Sequence, residues 1–296
     1  MIDFIKFQLI NTPCAELEEN HLLDFRSFVN LKTGETNGYM SARYQGLLFK
    51  IYDTTISNPN GRITVEGSLH KYWNSGLHNF NDFNLYHLYW VVQDLNEKFN
   101  IDASNCILRQ VEIGVNINPP KQTKAILDCC ILHKTTPFKW RYTKDEGDYI
   151  QARHQRYFIK IYNKRKHYEK QGYLIDKEIF RFEIKYSKMK ALNDSGIRTL
   201  HDLYGADFKG FKEVLLTEWN NVLFADSEAL KGHKNEYKYR NLNYWTELNS
   251  NKLKYHRNQL NKVLQNCPDN SKYIISERIK RKAEFLTHPP KTESFI

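Results

Sequence analysis

The stretch from Tyr149 to Tyr186, YIQARHQRYFIKIYNKRKHYEKQGYLIDKEIFRFEIKY, constrains this chain more than any other. It reads as two extended runs joined by a basic connection. In the first, Tyr157, Ile159 and Ile161 share one face, and Phe158, Lys160, Tyr162 and Lys164 share the other. In the second, Phe180, Phe182, Ile184 and Tyr186 oppose Arg181, Glu183 and Lys185. Alternation at a period of two describes strands with one buried face and one face meeting something polar. One sheet face is therefore expected to carry a tyrosine hydroxyl flanked by lysines, with a carboxylate on another strand.

The remaining pattern builds a sheet around these runs. Residues 2–10, 25–32, 39–44, 47–53 and 62–66 read as strands of an antiparallel meander, with turn chemistry at Lys32–Gly38 and at Asn58-Pro59-Asn60-Gly61. Gly67–Phe80 has no clear period and mixes glycine, histidine and aromatics, so it reads as a substrate-contacting loop or an ordinary loop with aromatic anchors. A helix is expected after the capping pair Asn81-Asp82, with Leu85, Leu88, Val92, Leu95 and Phe99 on one face. The run 107–117 is a further strand, placing Ile107, Arg109, Val111, Ile113, Val115 and Ile117 on one side and Glu112 on the other. A short helix over 121–133 and a polar loop or hairpin over 134–148 follow. Beyond Ser187 the texture is helical: 199–204, 209–224, then basic helices over 242–265 and 271–286 and a disordered tail from His288. The order predicts an α+β fold, a mostly antiparallel sheet with helices on one face and the other face open, plus a helical C-terminal region. The expected division is a domain over 1–205 and a basic helical region over 206–296.

Charge indicates the kind of partner. Lys and Arg number 44 against 34 Asp and Glu, a formal net charge of +10, which favours a polyanion and most simply nucleic acid. Aromatics make up 14% of the chain, enough for some to stack bases from a basic face as well as fill a core. The five cysteines are odd in number and lack a CxxC spacing, which points to reduced thiols in a cytoplasmic protein and excludes a zinc or disulfide framework. The opening MIDFIKFQLI lacks the features of a signal peptide, and no 18-residue apolar run exists, so no membrane partner is expected.

A tyrosine among cations suits attack on a phosphodiester, with a carboxylate able to hold a divalent ion. On pattern alone, an aromatic on a half-buried strand is the better reading of Tyr162. Glu112 also fits a solvated glutamate on an open sheet face. Two rival readings stand beside the enzyme: a DNA-binding module that recognises an origin or hairpin through the basic helices, and an RNA-binding protein using sheet aromatics.

The chain resembles the replication initiators of filamentous phages and related plasmids, the gene II/X family of rolling-circle proteins. The resemblance runs from Met1 to about Leu203. It is carried by the MID start, GLLFKIYD at 46–53, the Gly-Ser-x-x-Lys loop at Gly67–Lys71 running on to His78-Asn79, the strand around Glu112, RYFIKIYNK, and FRFEIKYSKMKAL. It implies an enzyme that nicks one strand at a replication origin, joins a tyrosine to the 5′ phosphate and leaves a 3′ hydroxyl to prime synthesis. On that alignment Tyr162 is the nucleophile and Lys164 its catalytic lysine, while Glu183 matches the family carboxylate. Glu112 stands where the family has aspartate, and with Glu183 it is expected to hold Mg²⁺ or Mn²⁺. Lys71, His78, Lys160 and Arg165 are the expected DNA contacts. The implied partners are single-stranded or supercoiled origin DNA and a host replication helicase or polymerase. No His-x-His pair occurs among the eleven histidines, so the metal arrangement common in rolling-circle nucleases is absent.

Overall fold

The computed structural model describes residues 1–55, 61–143, 147–208 and 210–288, with only the backbone of 142, 143, 147 and 148. The turn expected at Asn58–Asn60 and the tail beyond His288 lie outside the described residues. The fold is α+β. Its strands are β1 (Ile2–Leu9), β2 (Arg26–Val29), β3 (Thr36–Tyr44), β4 (Leu47–Tyr52), β5 (Arg62–Ser68) and β6 (Cys106–Ile117). They continue as β7 (Cys130–His133), β8 (Thr136–Pro137), β9 (Lys139–Thr143), β10 (Gly147–Arg153), β11 (Tyr157–Asn163), β12 (Phe180–Tyr186) and β13 (Val222–Phe224). Ten of them form one sheet in the order β2-β3-β4-β5-β1-β6-β12-β11-β10-β9, and β13-β7-β8 form a second.

Internal packing divides the described chain into two compact units, each built from separated stretches. The first comprises 1–113, 185–209 and the end of the chain from Phe285; the second comprises 114–184 and 210–284. In the first unit, the apolar positions of β1, β4 and β5 (Ile5, Phe7, Phe49, Val65) are fully buried, as the alternation requires. They share a core with the helix Leu85–Phe99, where Phe99 packs against Phe49 at 5.0 Å and edge-on to Tyr44 at 5.2 Å. That helix starts three residues later than Asn81 suggested. Asn84 accepts from the His87 backbone while the His87 ring bonds back to the Asn84 N–H, closing a capping box that Asn81 and Asp82 do not form. On this helix Val91 is fully buried and Val92, expected on the core face, is half-buried.

One strand departs from simple alternation. Lys6 faces Gln110 while Phe7 faces Leu108, so Arg109 is an extra residue bulged out of β6. The bulge flips the face. Leu108 is buried and Arg109 exposed, the reverse of their expected sides, whereas Val111, Ile113, Val115 and Ile117 keep theirs.

In the second unit two expected helices are shorter than their apolar runs. The helix Thr123–Cys129 ends where β7 begins, and the helix Phe211–Asn220 gives way to β13. β13 and β7 pair with each other, Val222 against His133 and Leu223 against Leu132, and this pairing takes residues from both helical runs. The residues 134–148 include β9, which pairs antiparallel with β10. The expected helix over 242–265 is two, Leu242–Thr246 and Ser250–Gln265. Their Trp245, Leu260 and Leu264 pack with Leu132, Leu223 and Tyr239. Trp219 is fully buried. Its indole N–H donates to the Lys272 carbonyl at 2.9 Å, and its ring meets Phe182 edge-on at 5.4 Å and Phe180 at 5.9 Å. Among the described residues no helix is long and apolar enough to cross a membrane.

Trp219→Ala should remove about 3–5 kcal/mol from the stability of the second unit, because it leaves a large cavity and strands the Lys272 carbonyl. Urea denaturation followed by circular dichroism measures this, and a loss below about 1 kcal/mol would contradict the packing described.

Candidate active site

β11 and β12 supply the site, which lies within the second unit. β11 alternates as read: Ile159 and Ile161 are fully buried, and Lys160 and Tyr162 are half-buried on the other side. Register sets Tyr162 opposite Tyr149 of β10, and their rings meet edge-on at 6.3 Å. On β12, Phe180, Phe182 and Ile184 are fully buried, and so, nearly, are the polar residues between them: Arg181 is 3% exposed and Glu183 1%. The polar side of β12 is thus not an open face.

Charge pairing makes this burial tolerable. Lys160 Nζ donates to Glu183 Oε1 at 2.9 Å, and Arg181 Nε donates to Glu183 Oε2 at 3.1 Å. Arg181 also donates to Asn116 Oδ1 of β6 at 3.2 Å. The Tyr162 hydroxyl donates to Glu183 Oε2 at 3.4 Å, long for such a bond. Gly114 lets the strands close here. A Cβ at 114 would lie 2.5 Å from the Phe182 carbonyl oxygen and 3.0 Å from the Arg181 guanidinium carbon. The arrangement presents a half-exposed phenol beside a carboxylate that can take its proton, with a lysine on the same carboxylate.

The other expected site residues are placed differently. Lys164 is not on the strand face. Asn163 ends β11 and caps a short helix, Lys164–Glu169, by accepting from the Lys166 N–H, so Lys164 begins the helix and is buried. Arg165 is held by Glu169 at 2.6 Å and donates to the Asp176 carbonyl. Tyr168, expected to be loosely fixed, is fully buried, and Tyr157, expected in the core, is half-exposed with its hydroxyl accepting from Lys134 at 2.7 Å.

Glu112, Lys71 and His78 belong to the first unit. Glu112 is 6% exposed and pairs with Lys185 at 2.9 Å, so it is not a solvated glutamate. Lys71 lies in a short helix, Leu69–Trp73, rather than a loop. Ser68 caps that helix and donates to Asp3 at 2.6 Å, and Asn79 donates to both oxygens of Asp3. The MID start and the Gly-Ser loop therefore meet in one hydrogen-bonded cluster. His78 stacks on Phe80 at 4.0 Å.

Both carboxylates are already paired: Glu183 is held by Lys160 and Arg181, and Glu112 by Lys185. Among the described residues no group of three or more His, Cys, Asp or Glu could hold a metal. A divalent ion on either glutamate would have to displace a lysine or arginine first.

A second polar cluster in the same unit escaped the sequence reading, because its members are far apart in the chain. His133 is fully buried; its Nδ1 lies 2.7 Å from His154 Nε2 and its Nε2 2.8 Å from Glu218. Lys134 bridges Glu218 at 3.0 Å and the Tyr157 hydroxyl. Burial alone would raise the Glu218 carboxyl, but hydrogen bonds from His133 and Lys134 pull it down to about 2. Burial, then the neighbouring His133 and Lys134, push the His154 imidazole down to about 4. Burial and then the chain's amino terminus do the same to His87 in the first unit.

No family model matches the chain, and no curated protein matches it. Among solved structures it is similar to a rolling circle replication initiator protein from Geobacillus stearothermophilus, at 13% identity and a TM-score of 0.37, over 75% of this chain and 84% of that one. A likeness that low carries no argument, so the case for function rests on the side chains.

Removing one member of a buried ion cluster leaves its partners uncompensated. Glu183→Gln should therefore cost on the order of 3 kcal/mol in folding stability as well as affecting chemistry. Chemical denaturation measures it, and a variant as stable as wild type would show that the cluster is not held as described. Acid should also unfold the protein in two windows. An imidazole held below its usual 6.5 resists protonation only when folded, so its stabilising effect is full above pH 6.5 and is lost toward pH 4. Glu218, held below the ordinary carboxylate range, adds a second loss as pH falls from about 4.5 toward 2. The melting temperature should fall between pH 7 and pH 4.5, and less so in His154→Gln; a rise on acidification would contradict both.

Proposed function

We propose that the chain is a replication initiator that nicks one strand of DNA at an origin through Tyr162. The observation that carries this reading is the contact between the Tyr162 hydroxyl and the buried Glu183 carboxylate, which also holds Lys160. The net charge of +10 and the resemblance in RYFIKIYNK and FRFEIKY support it.

The chemistry follows from what these groups can do. A phenol with an ordinary pKa near 10 is a poor nucleophile at neutral pH. Glu183 accepts its proton as the phenolic oxygen attacks phosphorus. The P–O3′ bond breaks, the 5′ phosphate becomes joined to Tyr162, and the departing 3′ oxygen takes up a proton from water. Lys160, released from Glu183 when that carboxyl is protonated, is then free to offset charge on the phosphoryl oxygens. Lys164 and Arg165 open the helix that follows β11, the first buried and the second held by Glu169, and act only through their charge. The phosphotyrosine bond conserves the energy of the cleaved linkage, so the free 3′ hydroxyl can reverse the step without ATP.

Glu183 and Glu112, the expected ligands of a divalent ion, are paired with Lys160, Arg181 and Lys185. Mg²⁺ or Mn²⁺ therefore enters as an arm of the test. A host polymerase would extend the 3′ hydroxyl while a helicase opened the duplex, and the basic helices Ser250–Gln265 and Ser271–Thr287 would hold duplex backbone.

The test is covalent capture of labelled single-stranded and supercoiled DNA, with Mn²⁺ or with EDTA, followed by peptide mapping. Wild type and Tyr168→Phe should form an adduct on Tyr162, and Tyr162→Phe should fold and form none. Full activity in EDTA would show that the chain's own cations suffice. An adduct on any tyrosine other than Tyr162, or salt-dependent binding with no adduct under any condition, would replace this reading with another nucleophile or with a DNA-binding module.

A further inference from the structure

We propose that the outward face of β1–β5, in the first unit, is a second nucleic-acid surface that seats single-stranded DNA by stacking bases on Tyr39 and Tyr52. Register places the residues. Tyr39 of β3 stands directly opposite Tyr52 of β4, which stands opposite Arg62 of β5, so the three point to the same side. The two rings lie 5.4 Å apart at 47°. The Arg62 guanidinium sits over the Tyr52 ring at 4.1 Å, and Lys50 Nζ lies 5.4 Å from the Tyr39 ring. One strand-step along, Arg43 is exposed. Beside them a groove of ≈ 450 Å³ is lined by Arg26, Phe28, Tyr39, Arg43 and Lys50. Phe28, at the edge of this groove, is 63% exposed.

Charge complementarity names the occupant. Among the described residues, the outward positions of these strands carry five cations (Lys6, Arg26, Arg43, Lys50, Arg62) and one carboxylate, Glu66, which Lys6 and Lys50 share. Asp24, just before β2, holds Arg26. A positive face with exposed rings between the cations is what an extended single strand needs: phosphates meet the arginines, and bases lie on the tyrosines irrespective of sequence. A duplex cannot offer its base faces to such rings. The inference rests on the proposed reading only in taking DNA as the ligand; it does not require that Tyr162 be a nucleophile.

The probe is fluorescein-labelled oligo(dT), titrated by anisotropy over a range of salt. Tyr39→Ala and Tyr52→Ala should each weaken binding on the order of tenfold, while Tyr39→Phe and Tyr52→Phe bind as wild type. Arg43→Gln should weaken binding and make the salt slope shallower by about 0.7. Iododeoxyuridine crosslinks should map to Tyr39 or Tyr52. Anisotropy reads binding whether or not an adduct forms, so loss of the adduct alone would test only the nicking reading. Alanine variants that melt like wild type and bind oligo(dT) unchanged would overturn the proposal. So would crosslinks confined to the second unit, or concentration-dependent dimers that these variants abolish, which would assign the face to a second copy of the chain.

Discussion

The Glu183 carboxylate, held between Lys160 and Arg181, is the interaction on which the second unit's geometry depends. A carboxylate that is 1% exposed is costly to bury unless opposite charge and hydrogen bonds replace its water. Both oxygens are met, one by Lys160 and the other by Arg181, and Arg181 is anchored in turn by Asn116. Such a cluster gains little net stability over an apolar one, but it tolerates few alternatives. A shift of β12 by one residue would put Phe182 or Ile184 in place of Glu183 and turn Arg181, Glu183 and Lys185 toward the apolar core. The absence of a side chain at Gly114 belongs to the same constraint, since any Cβ there would push against Arg181 and the Phe182 carbonyl. Tyr162 takes its place from this arrangement, one strand away and within reach of the carboxylate that organises it.

Much of the sheet was legible because strand burial writes a period of two, and β1, β4, β5, β11 and β12 lie where their alternation put them. What failed, failed for identifiable reasons. A bulge adds one residue without any change of composition, so the flip of Leu108 and Arg109 is invisible until Lys6 and Phe7 are aligned against β6. β7 and β13 are four and three residues long and lie at the ends of apolar helical runs. Periodicity cannot separate a short buried strand from another helical turn, and only their mutual pairing decides it. The cap at Asn84 won over Asn81-Asp82 because His87 could complete the capping box from its position three residues on.

The site was legible in part for the same reasons. That Tyr162, Lys160 and Glu183 share a polar side follows from parity along two strands. That Arg181 and Glu183 pair within one strand, two residues apart, shows in that parity too, but not that the pair is buried. Lys164 has the parity of Lys160 yet leaves the strand, because Asn163 is a helix cap as well as a strand residue. The cluster of His133, His154, Lys134 and Glu218 carries no local signal at all. Its closure depends on residues up to 85 positions apart, and nothing in the spacing of eleven histidines marks which two will touch.

The two surfaces considered for DNA obey opposite electrostatics, and this separates binding from chemistry. Exposed arginines beside Tyr39 and Tyr52 work in high dielectric, where a single ion contact is weak, and their affinity comes from releasing the strand's counterions. They are therefore numerous, replaceable and sensitive to salt. Glu183 and Arg181 work where water is excluded, so a single charge counts for more and a single misplacement costs more. A net charge of +10 says nothing about the second kind of site, whose charges are paired and cancel locally. The excess that composition reports is carried by the exposed kind, so composition can point toward a polyanion but not toward a nucleophile. Proposing Tyr162 for that role took the parity of β11 and the buried Glu183 carboxylate within reach of its half-exposed hydroxyl.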